Sequence, residues 1–546
     1  MFMKKWDYKW QVVASVIFGS FMVIMDATVV NVALPKLRDV FAADVSQIQW
    51  VISGFILAVG IVTPLSGFLA DRYGIKKIYL TSLACFTLAS VFCGIAPNLP
   101  LLILGRVLQG VGGGSVLPLG TALLFSAFPP EQRGLAFGIF GIPLVVAPAL
   151  GPVLGGAFVE YLSWRYIFFI NVPVGFLGLL VGWMLLREQK AEGPVPIDIW
   201  GALCSTIGFG ALLYGIANGA PAGAAGQPGT TATSTSGGWG SWQVIASLTV
   251  GAVFLVIFGL LQLRRKDQAL LDLRLFKDPV FTIANIIGWI TVVGFFGAEF
   301  LLPLYLQVLR GLSPLNTGLL LLPLAISSGI LVPFVGRWQD KIGARVLVTF
   351  GFLLLVVNTW QLSALTFDTS YLYLAFLLVL RGVALAFVLQ PTQLAALSVV
   401  KLPALPRASS LVNASRSIFQ SLGVAVLATI LQTVTANRLA GFKFVPDTQT
   451  KQQIAQAIAH GAQSRVPSIL AHAAQQQAQQ AFAHAFLAGL SHAYLATFFV
   501  AAAASIIALF LPGWPFQKKQ SDQTADGTSA NEDTVAADKV SPPIVG

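Results

Sequence analysis

Apolar runs of about 20 residues recur along nearly the whole of this 546-residue chain, and a run of that length crosses a bilayer as an α-helix. In hydrocarbon every backbone N–H and C=O must be satisfied within the protein, which leaves only helices and closed barrels. The runs are continuously apolar rather than alternating, which points to helices. Hydrophobic residues make up 56% of the chain and charged residues 10%, with a mean hydropathy of +0.78. The expected fold class is therefore an all-α polytopic membrane protein. Fourteen spans are expected, roughly at 10–34, 48–70, 78–96, 101–124, 135–159, 166–186, 198–217, 241–263, 280–304, 315–336, 344–365, 370–396, 405–435 and 486–512.

The net charge of +11 could suggest nucleic acid. The placement of the charges gives the better account. With the N-terminus assigned to the cytoplasm, 22 of the 33 Lys and Arg fall in cytoplasmic segments (Arg345 and Arg407, at the inner edges of their spans, counted with them), 8 in outer loops, and three (Arg106, Arg381 and Arg416) inside spans. That bias orients the chain with both termini in the cytoplasm, spanning the cytoplasmic membrane, and the partner it implies is lipid rather than nucleic acid. Lys4, Lys5 and Lys9 precede an apolar run with no small-residue cleavage pattern, so that run reads as a first span. Cys85, Cys93 and Cys204 are scattered through apolar runs and suggest neither a disulfide nor a metal site.

A short charged turn occurs twice. Gly67, Asp71, Gly74 and Lys76 in the first copy match Gly336, Asp340, Gly343 and Arg345 in the second, at identical spacing. The repeat implies two related halves. Spans seven and eight sit between the copies, joined by an uncharged Gly/Ala/Ser/Thr-rich linker at 218–241. Removing them leaves six helices plus six, each half with its turn between its second and third helix. The expected organisation is a six-helix bundle at 1–190, an inserted pair at 191–270, a second bundle at 271–516 and a disordered tail at 517–546. The outer segment 436–485 is Gln- and Ala-rich, with Pro467 as an expected break in a short helical hairpin. Its histidines (His460, His472, His484) read as polar helix surface, and whether an adaptor protein binds the segment stays open.

Ionisable groups inside spans are costly and usually paired or functional. Asp26 lies about 12 Å and Arg106 about 8 Å from the outer ends of spans one and four, at ~1.5 Å per residue. Asp26 is the candidate proton carrier, with Arg106 as its modulating partner; a static pair holding two spans together is the plainer alternative. Glu299 is a second coupling candidate. Asp71 is expected to meet the positive N-terminus of a facing helix and Arg72 an acidic or phosphate group, with Gly67, Gly74, Asp340 and Gly343 completing the gating turns. Span five carries Pro148, Gly151, Pro152, Gly155 and Gly156, a small-residue pattern suited to close helix packing or hinging. No phosphate-binding loop is evident, so the expected energy source is an ion gradient, with no cofactor.

Several of these stretches resemble one family. Asp26-Ala-Thr-Val-Val-Asn31 through Pro35 is similar to the first-helix motif of the fourteen-helix drug:proton antiporters of the major facilitator superfamily, the EmrB/QacA type. Gly67–Lys77, Leu104–Gly110, Ala147–Gly156 and Trp164–Pro173 resemble its further motifs, with Ala147 where Gly is usual. The resemblance implies proton-driven multidrug efflux, and so antibiotic resistance, by export of lipophilic and often cationic compounds. The absence of an acid in span thirteen argues against dications. Asn31, Trp50, Phe55, Phe295, Tyr305 and Gln390 are the expected lining of a cavity between the halves. Asn31 stands about 140° around the helix from Asp26, so only a wide cavity would hold both. A dedicated exporter of one metabolite, antibiotic or lipid is the alternative. A membrane sensor or enzyme is a distant one, since no nucleophile–base cluster is visible.

Overall fold

The computed structural model describes residues 7–188, 198–219, 238–265, 269–442, 444, 446, 448–459 and 466–511. The long helices are α1 (Tyr8–Phe41), α2 (Trp50–Tyr73), α3 (Ile75–Ile95), α4 (Leu99–Ala127), α5 (Arg133–Tyr161), α6 (Asn171–Leu185), α7 (Ile199–Gly219), α8 (Trp242–Arg265), α9 (Pro279–Leu304), α10 (Pro314–Ile342), α11 (Ala344–Ser363), α12 (Tyr371–Ser398), α13 (Leu405–Ala440) and α14 (Val466–Ala508). Among the described residues, 13 helices are long and apolar enough to cross a membrane. The remaining long helix, α9, contributes the shorter apolar stretch Pro279–Phe295.

Helix starts are written locally. Asn98, Ser313 and Ser370 each accept a backbone N–H from their helix's first turn, at 3.1, 3.2 and 3.2 Å. Asp278 caps α9 through Val280 and Phe281, and Pro279 follows it at a position where no N–H is missed. In the repeated turn, α2 and α3 are separated by Gly74 alone, and α10 and α11 by Gly343 alone. A one-residue junction needs a left-handed backbone, and the two glycines have φ of 97° and 79°. A side chain there costs about 1–2 kcal/mol.

α1–α6 form one bundle and α9–α14 the other. They meet along two main seams, α5 against α10 and α2 against α13; of the inserted pair, α7 packs on α2 and α13 and α8 packs on α7. The insert is tied to the second bundle at one end, where Trp239 Nε1 donates to Thr429 Oγ1 of α13 at 2.8 Å. At the other end its two helices are clasped together: buried Asp198 accepts from Gln262 at 2.9 Å and pairs with Arg265 at 3.1 Å.

The outer segment holds two helices that pack together, Thr448–Ala459 and the start of α14, with Pro467 in the first turn of the second, where proline is tolerated. Two bounds differ from expectation: the second arm runs unbroken into the last span as one 43-residue helix, and α1 extends well past the expected span, to Phe41. Most of the expected linker (220–237), His460 and the whole of 517–546 fall outside the described residues.

Candidate functional site

The first bundle is built around a buried polar cluster. Asp26 of α1 has no exposed surface and Arg106 of α4 only 1%. One carboxylate oxygen of Asp26 binds Arg106 Nη1. The other accepts from Asn171 Nδ2 at 2.7 Å and Gln109 Nε2 at 3.3 Å. Arg106 also donates to Gln109 Oε1 at 2.8 Å and, through Nε, to the Val51 carbonyl at 2.9 Å. Its guanidinium lies over the Phe55 ring, 4.2 Å from the centroid. Ser90 of α3 accepts from Gln109 at 2.6 Å. A charge pair taken from water is tolerable only when its remaining lone pairs and protons are satisfied, as most are here. One atom is left over: Asn171 Oδ1 is buried and has no partner.

Arg106 and Gln109 come from one turn of α4, three residues apart, and so share a face. Asn171 reaches the cluster because the short helix Tyr166–Phe169 breaks before α6 begins. A first-residue Asn of a spanning helix carries no sequence signal of its own, and Asn171 and Gln109 were legible only through the resembling motifs.

The second bundle carries a counterpart. Glu299 of α9 faces Arg381 of α12 at 3.9 Å, and α9 and α12 stand to their half as α1 and α4 stand to theirs. The match is looser: the Glu299 side chain is 28% exposed, and Arg381 Nη1 is buried without a hydrogen bond. Beside this pair, Phe295 and Arg381 line a cavity of about 20 Å³, room for about one water.

The two charged turns close one end of the molecule, each setting its aspartate against the first turn of a helix in the other half. Asp71 of α2 pairs with Arg407 in the first turn of α13. Asp340 of α10 accepts the backbone N–H groups of Gly134 and Leu135, at 2.7 and 3.1 Å, in the first turn of α5. A carboxylate at a helix N-terminus meets unsatisfied donors and the positive end of the dipole. The leading glycines permit the approach. A Cβ on Gly67 would stand 2.5 Å from the Pro406 carbonyl oxygen, and one on Gly336 3.2 Å from Gly138 Cα. The trailing bases serve their own half: Lys76 Nζ donates to the Trp183 carbonyl at 2.9 Å, and Arg345 Nε to that of Leu511. Both carbonyls lie at or just beyond a helix C-terminus. Arg72 lies over the Tyr73 ring, while Glu188, which sequence reasoning missed, accepts the Lys76 and Lys77 backbone N–H groups at 3.1 and 3.2 Å. Further polar links between the halves lie nearer this turn end than the other: Ser66 with Ser410 at 2.8 Å, Ser409 to the Pro118 carbonyl at 2.8 Å, and Gln393 to Thr121 at 3.4 Å.

The small residues of α5 face two ways. Cβ atoms on Gly151 and Gly155 would strike Thr28 and Val29 of α1, and one on Gly156 would press on Leu315 of α10. Pro148 and Pro152 lie within an unbroken helix. α5 is thus held closely on both sides.

The six residues expected to line one cavity are dispersed. Phe55 supports Arg106 inside the first bundle. Phe295 and Tyr305 are buried in the second, where Tyr305 donates to the Thr366 carbonyl at 2.6 Å. Trp50 stacks on Tyr214 of the insert. Asn31 is exposed, as its turn away from buried Asp26 dictates. Gln390 alone of the six touches the seam between halves, against Gly141. Aromatic residues on a wholly apolar helix give no indication of which face turns inward.

The model of the Major Facilitator Superfamily matches residues 16–424. The multidrug export protein EmrB of Escherichia coli (strain K12) is 34% identical over 415 residues, 76% of this chain and 78% of that protein. The lincomycin resistance protein LmrB of Bacillus subtilis (strain 168) is 30% identical over 452 residues, 83% of this chain and 91% of that one. Among solved structures, the proton:xylose symporter XylE aligns over 93% of this chain and 97% of its own, with a TM-score of 0.59 at 13% identity. At that identity the likeness concerns the fold.

Proposed function

The chain belongs to the major facilitator superfamily, and we propose that it is a proton-coupled antiporter exporting lipophilic, amphipathic compounds by alternating access of its two bundles. It is a multi-pass membrane transporter rather than an enzyme. The observation that carries the proposal is the buried Asp26 cluster. As a carboxylate, Asp26 accepts from Arg106, Asn171 and Gln109. Once it is protonated, the pair with Arg106 weakens, and Arg106 keeps the Val51 carbonyl, Gln109 and the Phe55 face. A turn of the Asn171 amide would offer its partnerless oxygen to the new proton. Both protonation states can thus be satisfied, as a proton carrier requires.

Asp26 is wholly buried with the turn end closed, so exchange of its proton belongs to another conformation. In this reading the turn end is cytoplasmic, as the positive-inside bias favours, and the Asp71 and Asp340 contacts open to admit substrate. The names of relatives such as EmrB and LmrB favour drug-like cargo. The test is transport in proteoliposomes with an imposed pH gradient. Wild type should accumulate substrate against its gradient and Asp26→Asn should not; undiminished gradient-driven accumulation by Asp26→Asn refutes the assignment.

A further inference from the structure

Among the described residues, three guanidinium groups lie deep within the membrane-spanning helices, away from their ends. Arg106 has Asp26, and Arg381 has Glu299. Arg416 of α13 has no carboxylate among the described residues. Its Nη1 donates to Gln393 Oε1 at 2.9 Å, and Gln393 in turn donates to Thr121 of the opposite half at 3.4 Å. Nε and Nη2 make no hydrogen bond among the described residues; they lie beside Gly288 of α9, where a Cβ would come within 3.3 and 3.2 Å of them. Arg416 stands eleven residues past the start of the 36-residue α13, about 16 Å along the axis at ~1.5 Å per residue, in the half of the span nearer the charged turns.

One turn further along α13, Phe419 stacks on Trp289, with ring centroids 4.7 Å apart and planes inclined by 13°. The Trp289 indole is fixed by a hydrogen bond to Ser415 at 2.9 Å. A partly exposed cation with unused donors therefore sits one helical turn from a flat aromatic pair, and its partner Gln393 reaches across the seam between the halves. Within the spans, Asp26 and Glu299 are matched by Arg106 and Arg381, and Arg416 is the surplus charge. A charge at this depth is expensive without a counter-ion, and a guanidinium with free N–H groups suits a carboxylate, which it can bind through two parallel hydrogen bonds.

We infer that Arg416, with Gln393 and the Trp289–Phe419 pair, receives the acidic group of the exported compound, so that the preferred cargo is an amphipathic carboxylate or similar anion rather than a cation. This rests on the transport reading above and names its substrate class. It also accounts for a span thirteen that holds a base and no acid.

The probe is pyrenebutyrate against its neutral amide, bound to purified full-length protein at pH 7.5 and read by quenching of tryptophan fluorescence. Wild type should bind the acid about tenfold or more tightly than the amide, the value of one charge-assisted contact. Arg416→Gln should bring the ratio near one, and Arg416→Lys should keep part of it. If Arg416→Gln fails to fold by size exclusion, Gln393→Leu serves in its place and should lower the ratio severalfold. Equal binding of acid and amide by wild type, an undiminished preference in Arg416→Gln, or an unchanged ratio in Gln393→Leu overturns the inference. Acid-selective binding without pH-gradient-driven uptake would instead sink the proton-coupling reading and leave this one standing.

Discussion

Asp340→Ala separates a gate from an ordinary surface turn. Asp340 accepts two backbone N–H bonds from the first turn of α5. A hydrogen bond to a charged group nets about 1.5–3 kcal/mol, and the lower figure applies here because the opened helix terminus regains water. Two such bonds give about 3 kcal/mol, or roughly a hundredfold in the balance between closed and open turn ends. The Gly134 and Leu135 amides would exchange faster in the variant merely for want of a partner. The informative region is therefore the other clasp, where Asp71 meets Arg407. If the halves move as rigid bodies, both clasps open together, and amide hydrogen exchange across 405–412 should rise by up to about a hundredfold where opening limits exchange. The measurement is hydrogen–deuterium exchange in lipid nanodiscs. A change confined to 132–137 would refute the coupled clasp.

Other consequences can be measured directly. Gly67→Val places carbon atoms where the Pro406 carbonyl oxygen and Arg407 Cα now stand, 2.5 and 2.7 Å from a Cβ; transport should fall at least tenfold, with faster exchange across 405–412, and normal transport would count against the role given to the close approach. Glu299→Gln leaves Arg381, 3% exposed, without its carboxylate. Since Glu299 is partly exposed, the loss should be about 1–3 kcal/mol in thermal unfolding, below that of a fully buried pair. Glu299→Gln combined with Arg381→Met should recover much of it, and simple additivity of the two would show the groups do not interact.

Much of this molecule is written locally. Whether a segment crosses a bilayer depends on its own length and hydropathy, so the helical fold is legible without coordinates, and the repeated turn sets the expectation of two halves with an inserted pair. The backbone demanded at Gly74 and Gly343 is local too, and the matched spacing of Asp71 and Asp340 announces a shared task. The depths of Asp26 and Arg106 follow from counting residues, which is enough to suggest that they meet.

Tertiary packing decided the rest. Asp71 finds Arg407, 336 residues away, because small residues let α2 and α13 close on each other, and Asp340 finds the start of α5 for the same reason. Asn171 joins Asp26, Arg416 is left without a carboxylate among the described residues, and the six expected cavity residues are dispersed. These outcomes depend on the rotation of each helix about its axis. In a bilayer the lipid-facing and core-facing sides are both apolar, so hydrophobic periodicity does not report that rotation. It is set by which neighbours can approach closely, and that is a property of the assembled bundles.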